Sequence, residues 1–425
     1  MSAKRYFLKG IDYFQLLIDH HNKKKGGLGH EARLAVYLKG KLDKKKFQQT
    51  LEANPHYLQL QTIRVSKTFG FGYPSITFTN TKGKIPITFQ ELSGLEIPES
   101  SLNIQVKVYK NPPLHIQVFY LSDNTTCILF TFHHILFDFA GVQSFIASLC
   151  GKENIPLLPI ESKPRPFAKR FKSFFEAVFF TFKEANAKMT IEDKPLPLQK
   201  PFLTTYKEIT FTEAEKLRIY ENASKHGLLL NLGMYLLAGV SKGLHDEIFS
   251  KQKRHNFIWA PVPVNVRKKG TADAILFNGL SFLFYKLRPE VLNDLETTTR
   301  EIKSQMLDQM RKELPAAFID FADGYWYMPM PFYAPMLYLP SWGKLSSFSF
   351  SVLGNTFQNL SEFMGLKITN ITNYPSNSIA PGITFLFYEF RGELRMMTSW
   401  VKGQYSEEEQ TEVLKKLKGI LVIGH

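Results

Sequence analysis

Short apolar or alternating runs and runs of helical period follow one another along most of the chain. Gly10-Ile11-Asp12-Tyr13-Phe14-Gln15-Leu16-Leu17-Ile18 reads as a capped apolar helix, and the Lys23-Lys24-Lys25-Gly26-Gly27 run as a solvated loop. Arg33 to Leu38 reads as a strand. After a Gly-Lys-Leu-Asp turn, Lys44 to Ala53 reads as a helix. Ser75 to Phe78, Gln105 to Tyr109 and His115 to Tyr120 read as further strands. Cys127-Ile128-Leu129-Phe130-Thr131-Phe132 is short, apolar and β-prone, as a buried strand should be. Beyond it, Val142, Phe145, Ile146 and Leu149 keep the i, i+3, i+4, i+7 spacing of one helical face.

A Pro-rich start at residue 156 opens a basic, aromatic helix pattern from Phe167 through Phe182. A strand follows near residue 202, then a helix from Thr212 to His226 and another from Asn231. Strands come next at Phe257 to Arg267 and Leu276 to Leu287, and a mixed-charge helix at Val291 to Leu314. Phe318 to Pro340 is a block of aromatics, methionines and prolines, containing Tyr325, Trp326, Tyr327, Met328, Met330, Phe332, Tyr333, Met336 and Tyr338. It reads as helix or loop core, or as the wall of a site for a greasy ligand. Strands at Phe348 to Val352, Gly382 to Tyr388 and Leu394 to Trp400 precede a closing helix, Ser406 to Leu417, whose Ser-Glu-Glu-Glu start suits a helix N-terminus. The two halves share an αβ texture without a tandem repeat.

A chain of 425 residues forms two domains of ordinary size with ample core. The 37 Phe and 18 Tyr exceed ordinary needs and suit large cores or apolar ligand sites. A net charge of +15 favours anionic partners: phosphorylated small molecules, acidic proteins, anionic lipid surfaces or nucleic acid. Nucleic acid fits poorly, because zinc spacing, a recognition-helix pattern and RNA-binding aromatic motifs are all missing from the sequence. Cys127 and Cys150, the two cysteines, lie in apolar settings that suit buried thiols in a reducing interior. With neither an apolar signal core nor a run of about 20 apolar residues, the sequence leads to the expectation of a cytoplasmic protein, one able to rest on a membrane.

The candidate chemistry sits where the Cys127 strand ends. His133 and His134 are adjacent, and Asp138 follows four residues after the second. An imidazole, with an ordinary pKa of about 6.5, is the side chain best suited to take and return a proton near neutrality. A structural, hydrogen-bonded pair is the competing reading, and His20-His21, which has no Asp at the matching place, shows how weak the bare pattern is. The acids and histidines show no metal-ligand spacing beyond the paired histidines, so no metal is expected.

His133-His134-x-x-x-Asp138 resembles the His-His-x-x-x-Asp-Gly motif of the CoA- and carrier-protein-dependent acyltransferases. That superfamily includes chloramphenicol acetyltransferase-like enzymes and peptide-synthetase condensation domains. Phe139 stands where the motif has Gly, with Gly141 two places on. Pro112-Pro113-Leu114, Asn231 to Ala238, Pro261-Val262-Pro263-Val264-Asn265-Val266-Arg267, Phe277-Asn278-Gly279-Leu280-Ser281 and Phe350 to Asn355 are similar, in order, to elements of the wax ester synthase/diacylglycerol acyltransferase branch. The Asp-Phe-Gly-Trp-Gly signature of the plant branch is absent.

The resemblance implies an α/β fold of two chloramphenicol acetyltransferase-like sandwich subdomains meeting in a V around a central tunnel. Residues 1–160 would form the first, 161–201 the connection and 202–425 the second. It implies His134 as general base and His133 and Asp138 as shapers of the loop. Asn278 or a backbone N–H, with Gly141, would face the oxyanion or position the substrate. Leu58-Gln59 replaces a family Leu-Arg pair, leaving Arg64 and Arg267 as candidate partners of Asp138, Arg267 preferred. No cofactor is implied; acyl-CoA or an acyl carrier protein would deliver the acyl group to a hydrophobic hydroxyl or amine acceptor, on a monomer. Formation of an amide by a stand-alone condensation-type enzyme, an epimerase or cyclase with the same motif, and a noncatalytic carrier-protein binder remain as alternatives.

Overall fold

The computed structural model describes residues 5–8, 10–66, 74–151, 155–159, 166–184, 194–228, 231–252, 256–267, 274–325, 328–338, 345–358 and 360–424. Trp326, Tyr327 and Pro340 of the aromatic block lie outside them, as do the side chains of Tyr325, Met336 and Tyr338.

A six-stranded sheet carries the first half. Its order is Glu362–Phe363, Leu366–Tyr374, Glu31–Lys39, Thr125–His133, Leu114–Tyr120 and Ile87–Glu91. The two central strands, Glu31–Lys39 and Thr125–His133, are buried along nearly their whole length, and their polar residues Glu31, Arg33, Thr131 and His133 are buried with the apolar ones. The helices Lys44–Ala53 and Phe139–Leu149 bury Phe47, Leu51, Val142, Phe145 and Ile146 in the same core. A four-stranded sheet carries the second half, in the order Ser349–Asn355, Ile383–Phe390, Glu393–Val401 and Thr204–Thr210. The helices Glu213–Lys225, Leu232–Leu244 and Glu407–Ile423 pack around it. The last begins with the capping box that Ser406 and Glu409 spell out.

Three features tie the halves together. The strand Leu366–Tyr374, from the second half of the chain, pairs with Glu31–Lys39 in the first-half sheet. Gly27 bridges Phe202. The segment before strand Leu280–Leu287 crosses to the first half, where Ile275 donates to the Pro156 carbonyl, Leu276 to Leu157 and Phe277 to Leu136. Ile275 and Leu276 are fully buried in the first-half core, each contributing about 1.5–3 kcal/mol of apolar burial.

Three expectations are corrected. The lysine run is helical: the first helix spans Gly10–Lys25, since Lys23–Lys25 complement the negative end of its dipole and Lys23 pairs with Asp19 one turn back. Gly26, at φ +105°, stops it. Gln105–Tyr109 is not a strand, because the Val106 N–H goes to the Glu31 carboxylate rather than to a sheet neighbour. The Val291–Leu314 helix is shorter, Leu295–Arg311, capped by Asp294. The aromatic block contributes two helices, Leu314–Tyr325 and Met330–Tyr338.

Gly141 lies in the first turn of the Phe139–Leu149 helix, where an added Cβ would run into the Ile275 carbonyl oxygen. Gly141→Ala is therefore expected to lower unfolding stability by about 1–3 kcal/mol in a urea titration. Gly239→Ala, whose Cβ would meet the side chains of Leu421 and Ile420 rather than backbone, should cost less.

Candidate active site

Register places both histidines. His133 ends its strand opposite Glu31, its N–H bonded to the Pro113 carbonyl, and the His134 N–H donates to the carbonyl of His30. Neighbouring strand residues face opposite ways. His133 accordingly points into the core and is fully buried, while His134 emerges at the strand end and is only half-buried.

The two rings are held in opposite senses. His133 Nδ1 accepts the Ile135 N–H at 3.0 Å, so the ring carries its proton on Nε2, 3.0 Å from Asp19 Oδ1. Burial alone would push the Asp19 carboxyl up, but His133 and Lys23 outweigh it and hold the group well below the usual carboxylate range. His134 Nδ1 lies 2.9 Å from the Phe137 carbonyl, which can only accept, so Nδ1 bears the proton. Nε2 then presents a bare lone pair, and no described side chain bonds to it. Burial lowers the His134 imidazole to about 4, against an opposing pull from the Phe137 carbonyl and Asp138, leaving the ring neutral at pH 7.

Asp138 divides its carboxylate. Oδ1 accepts from the Gly141 N–H at 2.8 Å, capping the Phe139–Leu149 helix. Oδ2 lies 2.6 Å from Arg267 Nη2 and accepts from the Gly279 N–H at 3.3 Å. The carboxylate thus fixes the histidine turn to the 274–279 segment and contacts neither histidine ring. Arg64 is spent on the carbonyls of Gln61, Ile63 and Thr81.

Asn278 serves the turn from the other side. Its Nδ2 donates to the His134 carbonyl and to Asp12 Oδ1, both at 2.8 Å, and its backbone N–H donates to the same Asp12 oxygen. The donors of Asn278 and the N–H of Gly141 are all engaged inside the protein, which leaves neither residue a hydrogen to offer an oxyanion.

The sequence reading missed the residues beneath the histidines. Asp12, Gln15, Asp19 and Asn22, at i, i+3, i+7 and i+10, form a buried polar stripe on the first helix. Asp12 holds Asn278, Gln15 Oε1 lies 2.7 Å from His30 Nε2, and Asp19 holds His133 and the His30 N–H. Asn22 ties down Gly29, Asn377 and Ile379. Burial raises Asp12 to about 7 although the two Asn278 donors oppose it, and the charges of Asp138 and Asp323 raise it further. The His30 ring, 4.8 Å from that of His134, is held well below its ordinary value by burial. Their spacing of i, i+3, i+7 and i+10 puts the four polar residues on one helical face, but nothing in the sequence says that this face is buried.

Ligand atoms of Asp19, Glu31 and His133 lie within 4.8 Å of one another. They are already engaged: Asp19 by Lys23, His133 and the His30 N–H, and Glu31 by the Val106 N–H. Asp19 and His133 thus pair across 3.0 Å, with Glu31 holding the Val106 N–H beside them. A crevice lined in part by Glu31, Arg33, Thr204 and Tyr206 at the seam of the halves measures about 20 Å³, room for one water rather than an acyl chain. Cys127 is buried with its thiol pushed up, away from the reactive thiolate form.

No family model matches the chain, and no curated protein does. Solved structures do. TRI3 trichothecene 15-O-acetyltransferase from Fusarium sporotrichioides is similar over 98% of this chain and 94% of its own, with 13% identity and a TM-score of 0.69. The first condensation domain of the CDA synthetase is similar over 99% and 96%, with 13% identity and a TM-score of 0.69. The starter condensation domain of rhizomide synthetase RzmA, solved with C8-CoA and Leu-SNAC, is similar over 99% and 94%, with 11% identity and a TM-score of 0.65. The chain therefore has the two-subdomain α/β fold of the condensation domains and the chloramphenicol acetyltransferase-like enzymes.

Two measurements check the site. By NMR, the His134 ring should remain neutral through the ordinary histidine range around 6.5 and titrate only near about 4. Arg267→Met strands the Asp138 carboxylate and should cost about 2–3 kcal/mol of unfolding stability. The additional change Asp138→Asn should recover part of that loss.

Proposed function

We propose that the protein is an acyltransferase that moves an acyl group from a thioester, acyl-CoA or an acyl carrier protein, to a hydroxyl or amine acceptor. The observation that carries this reading is the His134 ring, held through Nδ1 by the Phe137 carbonyl with a bare Nε2, in a half-buried residue at the seam of the halves. The likeness of the fold to an O-acetyltransferase and to condensation domains supports it.

Nε2 takes the proton of the acceptor as its oxygen or nitrogen attacks the thioester carbonyl. The tetrahedral intermediate collapses, the C–S bond breaks, and the departing sulfur receives the proton back from Nε2. Ester or amide and free thiol are the products, with no covalent acyl-enzyme and no cofactor beyond the donor. Because the imidazole is a weak base, proton transfer accompanies attack rather than preceding it. His133, Asp138 and Arg267 are positioning residues in this scheme. A hydrophobic alcohol is the acceptor we favour, on the likeness to an O-acetyltransferase and because the aromatic block is a candidate wall for such a compound. Amide formation is the second reading, supported by the likeness to condensation domains.

The test is release of free thiol from acyl-CoA, in wild type and in His134→Ala, over a panel of long-chain alcohols and amines. His134→Ala should lower turnover about 10²–10⁴-fold. Equal turnover in the two proteins would remove His134 from the chemistry. Wild-type activity should persist as the pH falls through 6.5 and decline only as it approaches about 4, where the base becomes protonated.

A further inference from the structure

The helix Phe167–Glu184 is anchored by one face. Ser173 and Ala177 are buried; Phe174 packs on Phe321 at 5.7 Å between ring centroids, and Phe180 on Phe318 and Phe284 at 5.9 Å each. Arg170 faces Asp320 and Asp323 of the helix beneath, at 3.6 and 3.8 Å. The opposite face carries Phe167, Phe171, Phe175, Phe179 and Phe182, which are 80, 56, 41, 70 and 44% exposed. Steps of four, four, four and three residues place these five rings in one stripe along the helix. The rings touch one another, Phe167 with Phe171 at 6.1 Å and Phe171 with Phe175 at 4.8 Å. Lys172 and Lys183 border the stripe, their side chains 79 and 84% exposed and only loosely paired with Glu176 at 3.8 Å and Glu184 at 4.0 Å.

Five phenylalanines presented together to water are unfavourable unless something covers them. The stripe consists of phenylalanine rings, which carry no hydrogen-bond donor or acceptor for a specific protein partner to read. A bilayer surface asks for none. It needs rings to enter the acyl boundary and cations to meet anionic headgroups, and here Lys172, Lys183 and the overall charge of +15 supply the latter. No helix among the described residues is long and apolar enough to cross a membrane, so contact through this helix would lie in the plane of the surface.

We infer that the exposed phenylalanine stripe of the helix Phe167–Glu184 docks the protein onto an anionic lipid surface. The inference is independent of the acyl-transfer reading, since it uses no residue of the histidine turn.

Flotation with phosphatidylcholine vesicles, with and without phosphatidylserine, tests it on the full chain. Wild type should float with the phosphatidylserine vesicles at low salt and less so at high salt. The triple variant Phe171→Ser, Phe175→Ser, Phe179→Ser should lose binding by about tenfold or more while keeping its melting temperature, because these side chains are exposed. A second variant, Lys172→Glu with Lys183→Glu, should weaken binding only to the phosphatidylserine vesicles. The docking surface is overturned if wild type ignores both vesicle types, or if the triple variant binds them as wild type does. It is equally overturned if wild type binds a soluble acidic carrier protein through this stripe and no vesicle. Thiol release measured without vesicles should be the same in the triple variant as in wild type, so failure of docking and failure of the acyltransferase reading show in different assays.

Discussion

Burying a histidine turn obliges the fold to provide a partner for every polar group it takes out of water, and here one helix does most of this. Asp12, Gln15, Asp19 and Asn22 project from a single face of the helix Gly10–Lys25 and meet Asn278, His30, His133 and the Asn377–Ile379 loop in turn. An unpaired buried carboxylate or amide costs several kcal/mol, so each of these contacts fixes its partner as well as itself. The stripe is the floor on which the histidine turn rests. It also explains why His133 has no freedom to do chemistry: both ring nitrogens are committed, one to Asp19 and one to the Ile135 N–H.

Asp138 performs the matching task on the opposite side of the turn. One oxygen terminates a helix and the other holds Arg267 and the Gly279 N–H, so a single carboxylate joins the turn to a segment that arrives from the second half. That segment is itself seated by Ile275 and Leu276 in the first-half core, and Gly141 is small enough to let the helix approach its backbone. Strand Leu366–Tyr374 adds a further crossing by joining the first-half sheet. The halves are therefore joined at the site, and the position of His134 is set by elements from both. A proton acceptor must be held to within a fraction of an ångström of its working position, and a seam stitched this way can do so.

Much of this organisation is legible in the sequence where one physical rule dominates. Strand Thr125–His133 is buried on both faces and reads as a strand through its apolar stretch Cys127 to Phe130; Thr212 and Ser406 announce their helices by capping boxes. What escaped notice depends on long-range pairing. The first helix reads as apolar because its periodicity is carried by Tyr13, Leu16 and Leu17, and nothing local says that its polar residues are also buried. Strand Leu366–Tyr374 alternates only weakly and owes its place to a neighbour more than 300 residues earlier. Asn278 and Gly141 look like free donors from sequence, and only coordinates show that Asp12, the His134 carbonyl and Asp138 have taken their hydrogens.

The depressed basicity of His134 follows from the same arrangement and bears on how such a residue works. An imidazole with a pKa of about 4 has little driving force to hold a proton. It is, however, unprotonated in nearly every molecule at neutral pH, and its proton-bearing nitrogen is locked against the Phe137 carbonyl. The remaining lone pair is therefore always available and always aimed in one direction. In the acyl transfer we propose, a proton accepted there would be given up readily to a departing sulfur. The low basicity weakens the driving force for taking it, since a base works best with a pKa near the operating pH, and the fixed orientation and full deprotonation at neutral pH act against that loss.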